Sequence, residues 1–451
     1  MKKPSSIPGL ILRALNAMRR EDGAVAIQFA VALVPMMVMI FGAVDVSRAS
    51  GEKMRLQDAL DAATLAAARS TAITDADLKI VADKVLVADL AASKAVLGAS
   101  SFHLEGTKII ATAQATMSTS VSGLWMDGDM TIGAQSEVTR SSNNIEVALA
   151  LDVTGSMAGT KITDLKSAAK DLVDLVVQDQ QTPYYTKLAI VPYSAAVNVG
   201  GYAASVRGTY STGTCTTPGC ASYKFTNASG SLKTFAISTC VSERTGSNAF
   251  NDVAPSTTLL GRNYPASGNP CLTSTIMPLS TDRAAIKSSI DGLSAAGSTA
   301  GHIGLAWGWY MVSPNFASLW PTESRPAAYG TDKLLKVVVL MTDGAFNTTY
   351  CKGVISQDSG SGSGSSSDHI NCNAPNGDAF SQAQALCANM KAQGVIIYTV
   401  GFDVGSDVAA QNIVQACATD ADHVYMPSTG ASLKAAFHAI GEDISRLRIS
   451  R

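Results

Sequence analysis

The chain opens on a long apolar stretch and then settles into a helical repeat. Ala24 to Val44 carries no charge, and about 20 consecutive apolar residues are enough for one helix to cross a bilayer core. Pro35 predicts a kink, which a membrane span tolerates. The helical pattern continues past Asp45 through Arg55-Leu-Gln-Asp-Ala-Leu-Asp-Ala-Ala-Thr-Leu-Ala-Ala-Ala. A second helical pattern starts at the Thr74/Asp75 cap signal and runs through Leu86. From Phe102 to Thr139 the alternation changes to period two, predicting strands over 108–117 and 130–139. Residues 1–23 thus read as a tail, 24–70 as span and stalk helix, and 71–140 as a small α+β region. A polar hinge, Ser141-Ser-Asn-Asn, follows.

From 145 onward strands and helices alternate. The run Ile145 to Leu151 is continuously apolar apart from Glu146, which predicts a strand buried on both faces rather than an amphipathic one. A helix is expected over Lys161–Val177, with Ile162, Leu165, Ala169, Leu172 and Leu175 at helical spacing. The next strand is Lys187–Tyr193, stopped by Pro192. A helical piece begins at Asp282, and an amphipathic helix carries Ile303, Leu305, Trp307 and Tyr310. Leu334 to Met341 repeats the buried-strand pattern. The remaining elements are a helix over 379–392, a strand over 394–401, a strand-like His423-Val-Tyr-Met, and a final helix over 432–447 with Phe437 and Ile440 on one face. Such alternation predicts an α/β domain over 145–451, its mostly parallel sheet covered on both sides. Two stretches interrupt it, near 194–279 and 345–378. The first has no durable period, and the second holds the flexible-looking run Ser359-Gly-Ser-Gly-Ser-Gly-Ser-Ser-Ser.

Charge adds orientation. Lys2, Lys3, Arg13, Arg19 and Arg20 precede the apolar run, so the positive-inside bias places the N-terminus in the cytoplasm and the bulk outside. The run exceeds a typical signal-peptide core and leads straight into helix, which favours a retained anchor. Asp45, just past the run, need not be buried. A net charge of −2 gives no sign of nucleic-acid binding. All eight cysteines lie at or beyond 215. An even number on the outer side implies disulfides in an oxidising compartment. Connectivity stays open. Pairing neighbours would give 215–220, 240–271, 351–372 and 387–417. Zinc is the weaker alternative, since no Cys-x-x-Cys occurs and the five histidines are scattered.

The chemistry gathers where buried strands end. Asp152, Thr154 and Ser156 follow the first strand at alternate positions, Thr299 sits in a small-residue loop, and Asp343 ends the later strand. In open α/β sheets ligands bind at that edge, and such oxygen donors suit Mg²⁺ or another hard divalent ion such as Mn²⁺. Each alone is as readily a helix cap or turn former. Together they resemble the metal-ion-dependent adhesion site of von Willebrand factor type A domains, with Thr154 where the family has Ser. The resemblance implies a Rossmann-like domain in which Thr154, Ser156 and Thr299 ligate the ion directly or nearly so. Asp152 and Asp343 would act through water, and an acidic group of a partner protein would complete the shell. Gly155 and Gly344 would let the backbone turn beside them.

The N-terminal stretch resembles the TadE/TadG-type proteins of bacterial tight-adherence (Flp) pilus systems, carried by Arg19-Arg-Glu-Asp-Gly-Ala-Val-Ala-Ile-Gln-Phe-Ala, the apolar span and Arg55 to Ala68. Pilin-like members carry Glu at the fifth residue after the leader glycine. Gln28 stands there, which argues against processing at Gly23 and for the larger TadG-like members. The combined expectation is a single-pass inner-membrane protein that binds pilus or envelope proteins through a divalent ion. Its rival is a pilus or secretion scaffold with no working metal site. A serine hydrolase is disfavoured by the missing Gly-x-Ser-x-Gly context. A phosphate loop at Gly155, Gly159 and Lys161 has the wrong spacing, so Lys161 and Lys166 are expected on a solvated helix face. The sequons at Asn227 and Asn347 carry no argument.

Overall fold

The computed structural model describes residues 21–70, 72, 74–119, 129–140, 142–179, 181–182 and 184–449. Residues 1–20 of the expected tail lie outside the described residues; 21–23 already belong to the first helix. Two units are present, Met1–Arg140 and Ser141–Arg451.

In the first unit, helix α1 (Glu21–Arg69) runs without interruption through Pro35. From Val25 to Ile40 it is exposed, and the helix from Val25 is long and apolar enough to cross a membrane. Asp45, just past the apolar run, is buried and lies 3.8 Å from Arg48. The C-terminal half presents Leu56, Leu60, Ala63 and Ala67 to α2 (Asp75–Asp89) and to an antiparallel sheet of β1 (Val96–Glu105), β2 (Lys108–Met117) and β3 (Met130–Thr139). Thr74 caps α2 by accepting from the Asp77 N–H at 3.2 Å. Arg140 closes the other end of α1. Its guanidinium donates to the carbonyls of Ala67, Ala68, Ser70 and Ala72 at 2.6–3.2 Å, placing positive charge where a helix leaves carbonyls unpaired.

The second unit is mixed α/β. Its elements, in order, are β4 (Asn144–Asp152), α3 (Thr160–Val176), β5 (Thr186–Tyr193), β6 (Val197–Asn198), α4 (Ala203–Arg207), β7 (Ser211–Cys215), β8 (Cys220–Thr226), β9 (Leu232–Ala236), β10 (Cys240–Ser242), β11 (Gly261–Arg262), β12 (Met277–Ser280), α5 (Arg283–Asp291), α6 (Gly301–Val312), β13 (Leu334–Thr342), β14 (Tyr350–Cys351), β15 (Val354–Ile355), α7 (Ala379–Ala392), β16 (Ile396–Gly401), α8 (Val408–Cys417), β17 (Val424–Tyr425) and α9 (Gly430–Ile449). Six strands form the central sheet in the order β12-β5-β4-β13-β16-β17. Only β12 is antiparallel.

Alternate residues of the strands feed two cores. Ile145, Val147, Leu149 and Leu151 pack with α3, α5 and α9; Ala148 and Ala150 pack with α6 and α7. The alanines are small because α6 lies close. A Cβ on Gly308 would stand 3.0 Å from Val338 and one on Gly304 2.2 Å from the Tyr193 ring. Every residue of α6 is buried, so it is not the amphipathic helix its pattern suggested. The sheet covers one side, while the interruptions and α7 cover the rest. Pro192 does not end β5; it pairs with Leu151 and the strand runs to Tyr193. On the other side β12 pairs only as far as Ile190, so the missing N–H costs no ladder bond there.

Four disulfides join the neighbouring cysteines, 215–220, 240–271, 351–372 and 387–417. The long interruptions are ordered, with small sheets β11-β10-β6 and β7-β8-β9 and the β14-β15 pair. The Gly-Ser run is tied down rather than loose. Gly360 N–H donates to Asn347 O at 2.7 Å, and Ser363 is buried with its carbonyl accepting from Asn269 at 2.8 Å. Gly362 and Gly364 hold φ of 89° and 106° there, conformations that favour glycine.

Candidate functional site

The chain leaves β4 toward β5 on one side, and β13 later takes the other side of β4. The order of the sheet therefore reverses between β4 and β13, the place where open α/β sheets form a crevice. Asp152 is the last residue of β4, and Asp343 directly follows β13. The next strand, β16, places Asp403 at the same edge, two residues past its end. Three carboxylates thus stand at the C-terminal ends of three adjacent parallel strands.

A chain of hydroxyls links the predicted residues. Thr154 Oγ1 lies 2.9 Å from Ser156 Oγ, and Ser156 Oγ donates to Asp343 Oδ1 at 2.6 Å. Asp152 accepts from the Thr154 N–H at 2.9 Å, and its second oxygen lies 2.9 Å from Thr342 Oγ1. Tyr193 OH donates to Met341 O at 2.8 Å and stands 3.4 Å from the same Asp152 oxygen. Asp152 is fully buried. Burial first, and the neighbouring Asp343 charge second, push its pKa up to about 6. Ser156 is exposed, so solvent reaches the site from its side.

Thr299 arrives on a separately braced loop. Gly155 N–H donates to Gly297 O at 2.8 Å and Ala296 N–H to Val153 O at 2.9 Å, stitching that loop to the turn after β4. Asn347 Oδ1 accepts from the Thr299 N–H at 3.0 Å, and Asn269 Oδ1 from the Ser298 N–H at 2.8 Å. Both interruptions therefore support the loop. The Thr299 carbonyl accepts from the N–H groups of Asn347 and Thr348. Its hydroxyl makes no hydrogen bond among the described residues. Asp152, Thr154, Ser156 and Asp343 are joined by direct contacts; Thr299 joins them through backbone alone. Of the two glycines beside them, Gly155 makes the close approach, since a Cβ there would meet Gly297 O at 3.3 Å, whereas Gly344 has open space.

Lys161 is not on a solvated face. Its ammonium lies 3.1 Å from Asp343 Oδ2 and 3.1 Å from Asp403 Oδ2, and over the Phe402 ring at 5.7 Å. Burial alone would lower its pKa, but the two carboxylates outweigh that and raise it. The first turn of α3 points along the sheet edge, a direction that helical periodicity does not reveal. Asp403 carried no sequence signal except its position two residues after a strand-ending glycine. It holds φ of 54°, one of three non-glycine residues with positive φ among those described.

Among the described residues, no three His, Cys, Asp or Glu side chains are grouped to hold a metal. The donors at this edge are of another kind, two carboxylates and the hydroxyls of Thr154, Ser156 and Thr299. All are oxygens, as Mg²⁺ or Mn²⁺ requires. Two buried carboxylates with one ammonium leave an excess of negative charge, which a cation would offset. The donor set therefore fits the ion, with Ser156 at the open side.

Residues 23–70 match the family model described as "Putative Flp pilus-assembly TadE/G-like". No curated protein matches the chain. Solved structures similar to it include the vWF domain of the type V pili tip protein Mfa5 from Porphyromonas gingivalis, at 13% identity over 69% of this chain and 97% of that one, with a TM-score of 0.39. The adhesive tip pilin GBS104 from Group B Streptococcus agalactiae matches at 11% identity over 67% and 100%, TM-score 0.37. The pilus adhesin SpaC from Lactobacillus rhamnosus GG matches at 13% identity over 78% and 34%, TM-score 0.36. The chain thus spans about a third of the SpaC chain's length.

Proposed function

We propose that this chain is a membrane-anchored pilus-assembly or adhesion factor whose second unit is a von Willebrand factor A-like domain. On this reading it binds protein partners through a divalent cation. The observation that carries it is the hydrogen-bonded series Thr154–Ser156–Asp343, with Asp152 behind it, at the switch point of the sheet. Hydroxyl donors neutralise little of the ion's charge, so Mg²⁺ held there stays electrophilic and attracts a partner's carboxylate. The match of residues 23–70 to a pilus-assembly family supports the cellular setting. The apolar half of α1 supplies the anchor. Four disulfides agree with the second unit lying outside the cytoplasm, with the N-terminus inside. Pilus or envelope proteins presenting an acidic group are the partners, and the role is one of binding rather than catalysis.

The test is capture of pilus and envelope proteins by the full chain from membranes of its own cells. Asp343→Ala and chelation of divalent ions are each expected to abolish capture. Capture undiminished by both would overturn the reading. It would leave the rival, a scaffold in which Lys161 is the site's only cation, a reading favoured by the contact of its ammonium with Asp343.

A further inference from the structure

We infer that Lys161 is a tethered counter-cation that competes with a divalent ion for Asp343 and retreats onto Asp403 when the ion binds. This deepens the function proposed above and rests on it. The ammonium is shared between two carboxylates of different character. The Asp343 side chain is fully buried, whereas that of Asp403 is 51% exposed. Both contacts are 3.1 Å, so leaving one requires no large movement to keep the other. A lysine is suited to this because its charge is compact and its stem flexible; an arginine's planar fork would lock onto one partner.

Asp403 is built for its part. Its backbone adopts a left-handed conformation, uncommon outside glycine and tolerated best by Asp and Asn. It is held there by its N–H donating to Pro427 O at 2.8 Å, while Phe402 N–H continues the sheet pairing by donating to Thr342 O at 2.8 Å. The turn thus fixes a carboxylate across from the start of α3, where it serves neither as a cap nor in the core. In the ion-free state Lys161 holds Asp343 in place and offsets its charge. As Mg²⁺ arrives, the same positive charge opposes it. Lys161 therefore sets the affinity low and keeps the site ordered without metal.

The experiment measures Mg²⁺ binding calorimetrically on the full chain in detergent, for wild type, Lys161→Met, Asp403→Asn and the double variant. Lys161→Met is expected to bind about tenfold more tightly, because a like charge near the ion has gone. In chelator it should melt at a lower temperature than wild type, a difference that narrows with saturating Mg²⁺. Asp403→Asn, which keeps the backbone conformation, is expected to bind more weakly than wild type but to have little further effect in the Lys161→Met background. Lys161→Gln replaces the methionine variant if that does not fold. Equal affinity of wild type and Lys161→Met overturns the inference while the metal site stands. An equal loss from Asp403→Asn in both backgrounds overturns the retreat onto Asp403. Absence of Mg²⁺ binding in every variant overturns both the inference and the reading it rests on.

Discussion

Asp152 is the residue under most electrostatic stress. It is buried, beside a second carboxylate, and its pKa rises from 3.8 to about 6. The folded state therefore holds a proton that the unfolded state has lost. The resulting cost is absent below the unfolded pKa, grows as pH rises from about 4 to 6, and is complete above that. Chemical denaturation in chelator, compared with Asp152→Asn, should show wild type losing up to about 3 kcal/mol across this window relative to the variant. A pH-independent difference would contradict the assignment. At this scale the sequence was informative where residues share one turn. Asp152, Thr154 and Ser156 are brought together largely by covalent spacing, and Asp343 by its place at a strand end. Lys161 and Asp403 were illegible because their meeting depends on the angle of α3 over the sheet and on one left-handed residue.

Among the elements, α6 decides how closely the site's surroundings pack. Its glycines let the helix lie against Tyr193, whose hydroxyl reaches Met341 O and approaches Asp152. Gly304→Ala would drive a methyl into the Tyr193 ring and should destabilise the second unit by about 1–3 kcal/mol, read from its thermal or denaturant midpoint. In the first unit, Arg140→Ala removes four bonds to the end of α1. It should lower that unit's stability by about 2 kcal/mol, while Arg140→Lys recovers part of the loss.

Long elements with buried faces were readable: α1, α3, β4 and β13. Besides the short elements of the two interruptions, β1, β12 and α8 have no counterpart among the elements read from the sequence pattern. β1 carries an irregularity between Leu97 and Ser100, which breaks its alternation in the residues before Phe102. β12 has four residues and an antiparallel pairing that local pattern cannot announce. α8 did carry a signal, the Asp407 cap and buried Ala410, Ile413, Val414 and Cys417, but in only 10 residues.

Across the whole second unit, the two ends of the sheet do different work. At the end opposite the carboxylates, Glu146 and Lys336 face each other in register on β4 and β13, both buried. Glu146 also accepts from the Ala327 N–H at 2.8 Å and Tyr185 OH at 3.1 Å, and Lys336 donates to Val312 O at 2.8 Å. Glu146→Ala would strand a buried ammonium and should cost about 3–5 kcal/mol of stability while leaving Mg²⁺ affinity unchanged in the folded protein. The alternation of strands and helices made the α/β class legible, but the interruptions hid their purpose. Asn269, Asn347 and Ser363 lie far apart in sequence and act together only because the folded loops converge on the Thr299 loop.

The most direct measurement is a crystal structure of the full chain grown with Mn²⁺, read from its anomalous scattering. The account predicts a peak within about 2.5 Å of Ser156 Oγ, with the Thr154 and Thr299 hydroxyls turned toward it and Lys161 moved to Asp403. An edge free of anomalous signal at millimolar Mn²⁺, with the Lys161 ammonium still on Asp343, would contradict it.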